Sequence, residues 1–394
     1  MYGLLSIGYG LKGDGLMIPV FKTKMYTKDI VFDIGKVLDS GIVGAGDVVK
    51  EFERQVADRI GTRFFVATNN GTNALQIALR VLFLERGANV LTSPITFSGA
   101  NMAIVNEGLC PVFCDVCPTT GNMNPDCIKQ ALEEYDIQAI LVTHIGGWSA
   151  DMEKINVIAR ESCIPVIEDC AHAFGGRYKN GDAIGNTNNI CAWSFGPTKC
   201  LTCAAGGGIS SNDHMVAIQG EKLRDCYVCR PNVWYNTNKV NGTKPWNCEV
   251  DHPGFRFHFN NVLASIGLVQ LKHLDEDLSR RKEIAAYYAQ HLLGIVPFYM
   301  SSPLDALSSY HFLPMFFENR DALHEYLNEH GVASTVHYPC NFHLNLFSEY
   351  PRVNGCQKAL WYSSHELTLP FHLYLTDDDL SMIVDLVKKF RTMD

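Results

Sequence analysis

Between Phe64 and Ser211, short apolar runs alternate with stretches in which apolar residues recur at helical spacing. The runs FFVAT (64–68), NVLTS (89–93), PVFCD (111–115), AILVTH (139–144), IPVIED (164–169), ICAWSF (190–195) and GGISS (207–211) have the length of buried strands. Stretches between several of them, such as TNALQIALRVLFL and DMEKINVIARES, are amphipathic. Strands alternating with helices predict an α/β fold, a mostly parallel sheet with helices on both faces. Ligands in such sheets bind beyond the carboxyl ends of the strands. Asn70-Gly71, Pro94, Asp169 and Lys199 all follow predicted strand ends, so the polar residues converge on one edge.

The pattern changes after this core. Residues 225–255 are polar and aromatic, with Trp234 and Trp246, and read as a long insertion at a substrate or subunit interface. The segment 261–293 then reads as one or two helices leading out of the first domain. Beyond about residue 295, strand-like runs such as HFLPMFF mix with helices. In TDDDLSMIVDLVKKF, Thr376 is placed to cap a helix whose apolar face is Leu380, Ile383, Val384 and Val387. The expected division is an α/β domain over 18–280 and a smaller α+β domain over 281–394. Residues 1–17 form an extension upstream of a possible start at Met17; they show no charged region, apolar region and cleavage site of a signal peptide.

Composition narrows the function classes. With 394 residues, 47% apolar and 19% charged, the chain has the balance of an ordinary globular enzyme. A net charge of −9 argues against a general nucleic-acid binder, and no apolar run is long enough for a membrane span. The 14 cysteines are scattered and fit free thiols in a reducing cytoplasm. One group, Cys226, Cys229, Cys248 and His252, reads either as a structural zinc site or as a cysteine-rich loop. The looser spacing of its last two members favours the loop.

The candidate chemistry rests on Lys199 and Asp169. The run 164–167 ends in Glu168-Asp169, delivering a carboxylate at a strand's carboxyl edge. The run 190–195 leads through Gly196 and Pro197 to Lys199, set among small and apolar residues that would lower its pKa. A nucleophilic lysine amine plus a buried carboxylate that keeps a pyridine nitrogen protonated is the pair that pyridoxal 5′-phosphate chemistry needs. Gly71 and Thr72 open a helix after a strand and offer an anion site, to which Ser194 could add a hydroxyl. His172 could bond a ring oxygen of the cofactor, and Phe97 could stack on its ring. Read singly, each has a plainer account. Asp169 could pair with an arginine, Lys199 could lie on the surface, and the others could be ordinary turn, strand-end or core residues.

Taken together, these residues resemble the sugar aminotransferases of the DegT/DnrJ/StrS family, in the fold type I superfamily of pyridoxal phosphate enzymes. The likeness runs from about residue 18 to 390. It includes SGIVGAGDVVKEFERQVADRIGT, NNGTNAL, PITFSGA, DVCPTTGNMNPDCI, VIEDCAHAFGG, SFGPTKCLT, GFRFHFNNVLASIGLVQL, VHYPCNFH and ELTLPFHLYLT. It implies a seven-stranded sheet domain and a homodimer whose active site lies at the subunit interface. Lys199 then carries the cofactor, Asp169 partners its ring nitrogen, His172 neighbours its ring hydroxyl and Phe97 stacks on the ring. Gly71, Thr72 and Ser194 contact its phosphate, and Arg256 reaches into the partner's phosphate site. The implied reaction moves an amino group from glutamate or glutamine to a keto-sugar on a nucleotide. A cyclitol or sugar-phosphate ketone, and an idle regulatory protein, are the alternatives. Related sugar 3-dehydratases replace the lysine by histidine, against which Lys199 counts. Two departures stand out. Arg256 lies where the family often has asparagine or lysine, and Ala204-Ala205-Gly206-Gly207 replaces the usual Gly-Glu-Gly-Gly.

Overall fold

The computed structural model describes residues 17–229, 248–294 and 307–392. The extension up to residue 16, and Trp234 and Trp246 of the expected insertion, lie outside these residues. All seven predicted strands form, two of them with the expected bounds and the rest with ends shifted by one or two residues: β1 (Phe64–Thr68), β2 (Asn89–Thr92), β3 (Cys110–Phe113), β4 (Ile137–Thr143), β5 (Val166–Asp169), β6 (Ile190–Ser194) and β7 (Gly207–Ser211). They make one sheet in the order β1-β7-β6-β5-β4-β2-β3. β7 runs antiparallel to both its neighbours; the other pairings are parallel. This is the mostly parallel α/β architecture of fold type I enzymes.

Helices cover both faces, which is why the strands read as continuous apolar runs. Here α1 is Thr27–Ser40, α2 Asp47–Ile60, α3 Gly71–Arg80, α4 Ser98–Asn106, α5 Pro125–Glu134 and α6 Met152–Glu161. On one face, Ala74, Leu75 and Ala78 of α3 and Ile104 of α4 pack on Val66, Leu141, Ile167 and Ile209. Phe52, Val56 and Ile60 of α2 pack on Phe65, Ala67 and Trp193, which point the other way along the same strands. α5 and α6 close the far end over Leu91, Ile140 and Val142.

After α7 (His214–Arg224), a two-residue ladder joins β8 (Val228–Cys229) to β9 (Glu249–Val250). The chain then enters α8 (Asn261–Lys272) and α9 (Leu274–Leu292). α9 runs unbroken past residue 280. Leu274 and Leu278 belong to the core under the sheet, whereas Ile284, Ala285, Tyr288 and Leu292 belong to a separate C-terminal core. That second core is built with β10 (Pro314–Phe316), α10 (Arg320–Glu329), β11 (Glu366–Thr368) and α12 (Asp377–Arg391), whereas α11 (Gln357–His365) packs Ala359 and Tyr362 in a neighbouring cluster with Phe113 and Phe316. The N-terminal strand-like stretch also joins it: Ile18 bridges to Val332, and Phe371 N–H donates to Val20 O at 2.9 Å. Thr376 caps α12 as expected, in a reciprocal box with Asp379.

The sheet edge that carries the site is held by close backbone approach. Gly207 opens β7 between Thr68 and Ser194. A Cβ there would lie 2.5 Å from Asn70 C and O and 2.7 Å from Gly71 N, all backbone atoms that have nowhere to go. Gly207→Ala is expected to lower Tm by about 2 °C, through the roughly 2 kcal/mol that overpacking against backbone costs. Because the clash falls on the Asn70-Gly71 turn, the variant should also lose phosphate-containing ligands. A thermal scan and a cofactor-retention measurement check both, and an unshifted Tm would show that the edge has more room than its geometry implies.

Candidate active site

Every parallel strand of the sheet ends at the same edge, and a cavity of about 520 Å³ opens there. Its lining includes Gly71, Thr72, Phe97, Asp169, His172, Ser194 and Lys199, seven of the eight residues singled out from sequence. The volume is within the range of small-molecule sites.

The acidic pair at the end of β5 splits, as the pleat requires. Glu168 turns away from the cavity into a fully satisfied buried network. His144 Nε2 lies 2.8 Å from its Oε2, the Tyr178 hydroxyl donates to Oε2 at 2.7 Å, and Asn189 donates to Oε1 at 2.7 Å. Its role is structural. Asp169 lines the cavity while 5% exposed, and its carboxylate accepts from Ala171 N–H at 3.1 Å. Among the described residues no cation lies within ion-pair distance, so the arginine partner that would have explained Asp169 plainly is not there. Burial pushes its pKa up, against the pull of the nearby Lys199 charge.

Lys199 is positioned by a folded-back loop rather than by a strand. Phe195 N–H donates to Gly206 O, Cys203 N–H to Phe195 O and Lys199 N–H to Gly196 O, at 2.8, 3.0 and 3.1 Å. This closes 195–206 on the start of β7 and aims the residues after Pro197 at the cavity. Burial lowers the Lys199 pKa to about 8, with the Asp169 charge opposing in part. Far more of the amine is thus unprotonated near neutral pH than in an ordinary lysine.

The start of α3 forms the anion-receptive corner. Asn70 caps it by accepting from Asn73 N–H at 2.8 Å. The amides of Gly71 and Thr72, in the first turn, face the helix end without intrahelical acceptors. Gly71 is required by close packing: a Cβ would sit 2.7 Å from Ser194 Cβ and 3.0 Å from its Oγ. At Gly99 a Cβ would meet the Phe97 ring at 2.7 Å and Thr72 Oγ1 at 2.9 Å, so ring, hydroxyl and helix start are neighbours. Phe97 is 51% exposed within this chain, at the entrance of α4, and not a core aromatic.

His172 is buried and kept neutral, its pKa held well below the ordinary range by burial and by Lys199. Its Nε2 pairs with the Tyr338 hydroxyl at 3.1 Å, its ring stacks on His311 at 4.6 Å, and its Nδ1 is buried without a partner. Sequence reasoning gave no role to His311, Thr335, His337 or Tyr338, which come from the C-terminal core and line the same cavity. The segment containing His337 and Tyr338 had drawn notice only as part of the resemblance.

Arg256 is the residue that the cavity does not gather. It is exposed and pairs through its backbone with Asp225. Ala205 is exposed too and does not line the cavity, so the departure from the usual glutamate falls outside this chain's own pocket. Of the cysteine group, Cys226 is half-buried and Cys248 exposed, and the side chain of Cys229 lies outside the described residues. Among the described residues, the grouping of metal-type ligand atoms is His144, Glu168 and Cys170, where His144 and Glu168 are already bonded to each other. No helix among the described residues is long and apolar enough to cross a membrane.

The residues present fit pyridoxal 5′-phosphate. An unpaired buried carboxylate, a buried imidazole nitrogen lacking a partner, a lysine of lowered pKa and a free helix start surround one cavity. Comparison with known proteins agrees. The chain is 29% identical to a dTDP-3-amino-3,6-dideoxy-alpha-D-galactopyranose transaminase of Aneurinibacillus thermoaerophilus over 93% of its length and 96% of that protein's. It is 31% identical to a pleiotropic regulatory protein of Geobacillus stearothermophilus, over 92% and 94%. The crystal structure of the sugar aminotransferase CalS13 from Micromonospora echinospora superposes with a TM-score of 0.84 at 29% identity, covering 95% of this chain and all of that one. The sequence pattern of the DegT/DnrJ/EryC1/StrS aminotransferases matches residues 25–388, and the chain belongs to that family.

Proposed function

We propose that this aminotransferase uses pyridoxal 5′-phosphate to move an amino group from glutamate or glutamine to a keto-sugar carried on a nucleotide. The observation that carries the reading is a desolvated, half-buried Lys199 and a buried Asp169 lining one cavity without an ion pair between them. The cofactor, when bound, supplies an aldehyde for amine exchange and an electron-withdrawing ring. The nucleotide is supported by the named transaminase relative, whose sugar is dTDP-linked.

The chain's own residues divide the work. Lys199 Nζ would hold the cofactor through its aldehyde and, when its amine is free, would take the proton from the donor's Cα. Asp169 holds a proton on the ring nitrogen, which matches its need for a cationic partner. His172, neutral, offers a hydrogen bond to the ring hydroxyl. The Gly71 and Thr72 amides and the Ser194 hydroxyl receive the phosphate. Phe97 covers the ring. Arg256, exposed and away from its own cavity, fits delivery to the partner's phosphate site across a homodimer interface. The free thiols among the described residues fit a cytoplasmic enzyme.

A cyclitol or sugar-phosphate ketone is a second substrate reading, since no residue named so far selects the leaving portion. The regulatory reading draws on the Geobacillus relative's name, but a desolvated lysine and a buried aspartate with no ion-pair partner among the described residues are costly to retain without chemistry.

Incubation with the cofactor, glutamate and a panel of nucleotide-linked keto-sugars, followed by mass spectrometry, should yield an amino-sugar product. Borohydride treatment of the yellow protein should fix the cofactor to Lys199, and an adduct mapped to another lysine would end that assignment. Lys199→Ala should reduce turnover by roughly 10⁴-fold.

Asp169→Asn is expected to retain cofactor yet lose activity by roughly 100-fold or more, because an amide cannot stabilise the ring nitrogen's positive charge. Near-normal turnover would assign the nitrogen partner elsewhere.

Arg256→Ala should weaken cofactor retention, since charge-assisted bonds to phosphate are strong. Mixing inactive Lys199→Ala with inactive Arg256→Ala subunits should restore activity, because one site of each mixed dimer is then wild type. A mixed dimer that stays inactive, when both parents are inactive, places Arg256 within its own subunit.

A further inference from the structure

The C-terminal core presents His337 to the cavity. Behind it lies a closed polar chain. His337 N–H donates to Glu366 Oε2 at 2.6 Å. His337 Nδ1 is 3.0 Å from Thr368 Oγ1, and Thr368 Oγ1 is 2.6 Å from Glu366 Oε1. Glu366 and Thr368 are fully buried. Thr368 is fixed by backbone bonds in both directions with Thr335 and by its pairing with Pro314 in β10. The ring itself is stacked on Phe312, with centroids 4.4 Å apart. With Nδ1 engaged behind, Nε2 is the nitrogen left for an occupant of the cavity.

A hydroxyl has one proton, so the chain has two self-consistent arrangements. With Glu366 protonated, its O–H donates to Thr368, Thr368 donates to Nδ1, and Nε2 carries the ring proton. With Glu366 ionised, Thr368 donates to the carboxylate, Nδ1–H donates to Thr368, and Nε2 presents a lone pair. We infer that Glu366, acting through Thr368, is a positioning residue that sets whether His337 offers a donor or an acceptor to the keto-sugar. This rests on the aminotransferase reading above and deepens it. The donor form suits an oxygen that can only accept, such as the ketone or a phosphate; the acceptor form repels it.

The surroundings favour the donor form at neutral pH. Burial raises the Glu366 pKa to about 8 and lowers that of His337 to about 3, so the ring stays neutral throughout. The groups that face Glu366 are few. Arg320 of α10 donates to its backbone oxygen at 3.0 Å while its Nε engages Asp321. The hydroxyls of Tyr362, on α11, and Tyr338 are held neutral by burial. Pro314, Met315 and Phe316, on β10, carry no charge.

The test is KM for the keto-sugar between pH 7 and 9, measured on the holoenzyme with kcat read separately. Wild-type KM should rise by about ten-fold as Glu366 ionises, the effect of losing one buried hydrogen bond. In Glu366→Gln the amide donates to Thr368 at every pH, so KM should stay flat; Thr368→Ser should keep the wild-type profile and Thr368→Val should lose it. Nitrogen-15 spectra of histidine-labelled protein give a readout independent of turnover, with the His337 signals identified by their loss in His337→Gln. Wild-type His337 should change tautomer across this range and the Glu366→Gln protein should not. A single tautomer in wild type throughout, or a KM rise that persists in Glu366→Gln, overturns the inference. If no keto-sugar is turned over, the functional reading fails, and the spectra still decide the tautomer question.

Discussion

Desolvation of two opposite charges at one sheet edge is the constraint on which the rest of the site depends. Burial raises the pKa of Asp169 and lowers that of Lys199, so it disfavours the charged form of each. The mutual attraction of the two groups only partly offsets this. The sign of the linkage follows from the lysine. Its folded pKa of about 8 lies below the ordinary 10.5, so below pH 8 the folded chain carries the full penalty of a desolvated ammonium. Stability then rises with pH between those two values. A ligand that bonds covalently to the amine and gives the carboxylate a cationic neighbour removes both penalties at once. The folded chain therefore stores, in two residues, a preference for that kind of ligand.

Holding that arrangement requires a rigid edge, and the sheet order provides it. β5 and β6 are adjacent and parallel, so Asp169 and Ser194 arrive on the same side one strand apart. β7 runs the other way and brings Gly207 between Ser194 and Thr68, where only a glycine lets the Asn70-Gly71 turn approach. Lys199 sits on a loop, but a loop bonded at both ends to β6 and β7. On the opposite face of the same strand end, Glu168 is locked by His144, Tyr178 and Asn189, which fixes the strand's rotation and with it the aim of Asp169.

This division explains what the sequence revealed. Each strand of the sheet is a contiguous apolar run bounded by turn residues, and that local signal sufficed to find all seven; only their ends, where hydrogen bonding rather than hydrophobicity decides, were shifted. Asp169, Lys199, Gly71 and Ser194 were legible because each lies at, or within a few residues beyond, the end of such a run. The expected division at residue 280 falls inside α9, because one uninterrupted helix serves two cores. His311, His337 and Tyr338 were passed over for a different reason. They belong to a part of the chain with short strands and irregular segments, and reach the cavity only through contacts across more than a hundred residues, such as Tyr338 with His172. Arg256 was legible only by resemblance. Its place on the surface, bridged to Asp225, gives it nothing to do within its own chain's pocket.

The two walls of the cavity consequently answer to different physics. The sheet edge presents groups whose charge is suppressed by burial and restored by a particular ligand, so it selects for cofactor chemistry. The C-terminal wall presents His311 and His337, and His172 meets it from the segment after β5; all three imidazoles are kept neutral by burial, as is the Tyr338 hydroxyl. Neutral groups of this kind discriminate by hydrogen-bond polarity and not by charge. That is the property needed to recognise a polyhydroxylated substrate, whose oxygens differ in whether they can donate. A donor misplaced against such a group leaves a buried polar atom unpaired, which costs more than a good bond contributes. Control of a single ring proton, as at His337, is therefore a sensitive means of choosing among sugars that differ in one carbonyl or hydroxyl.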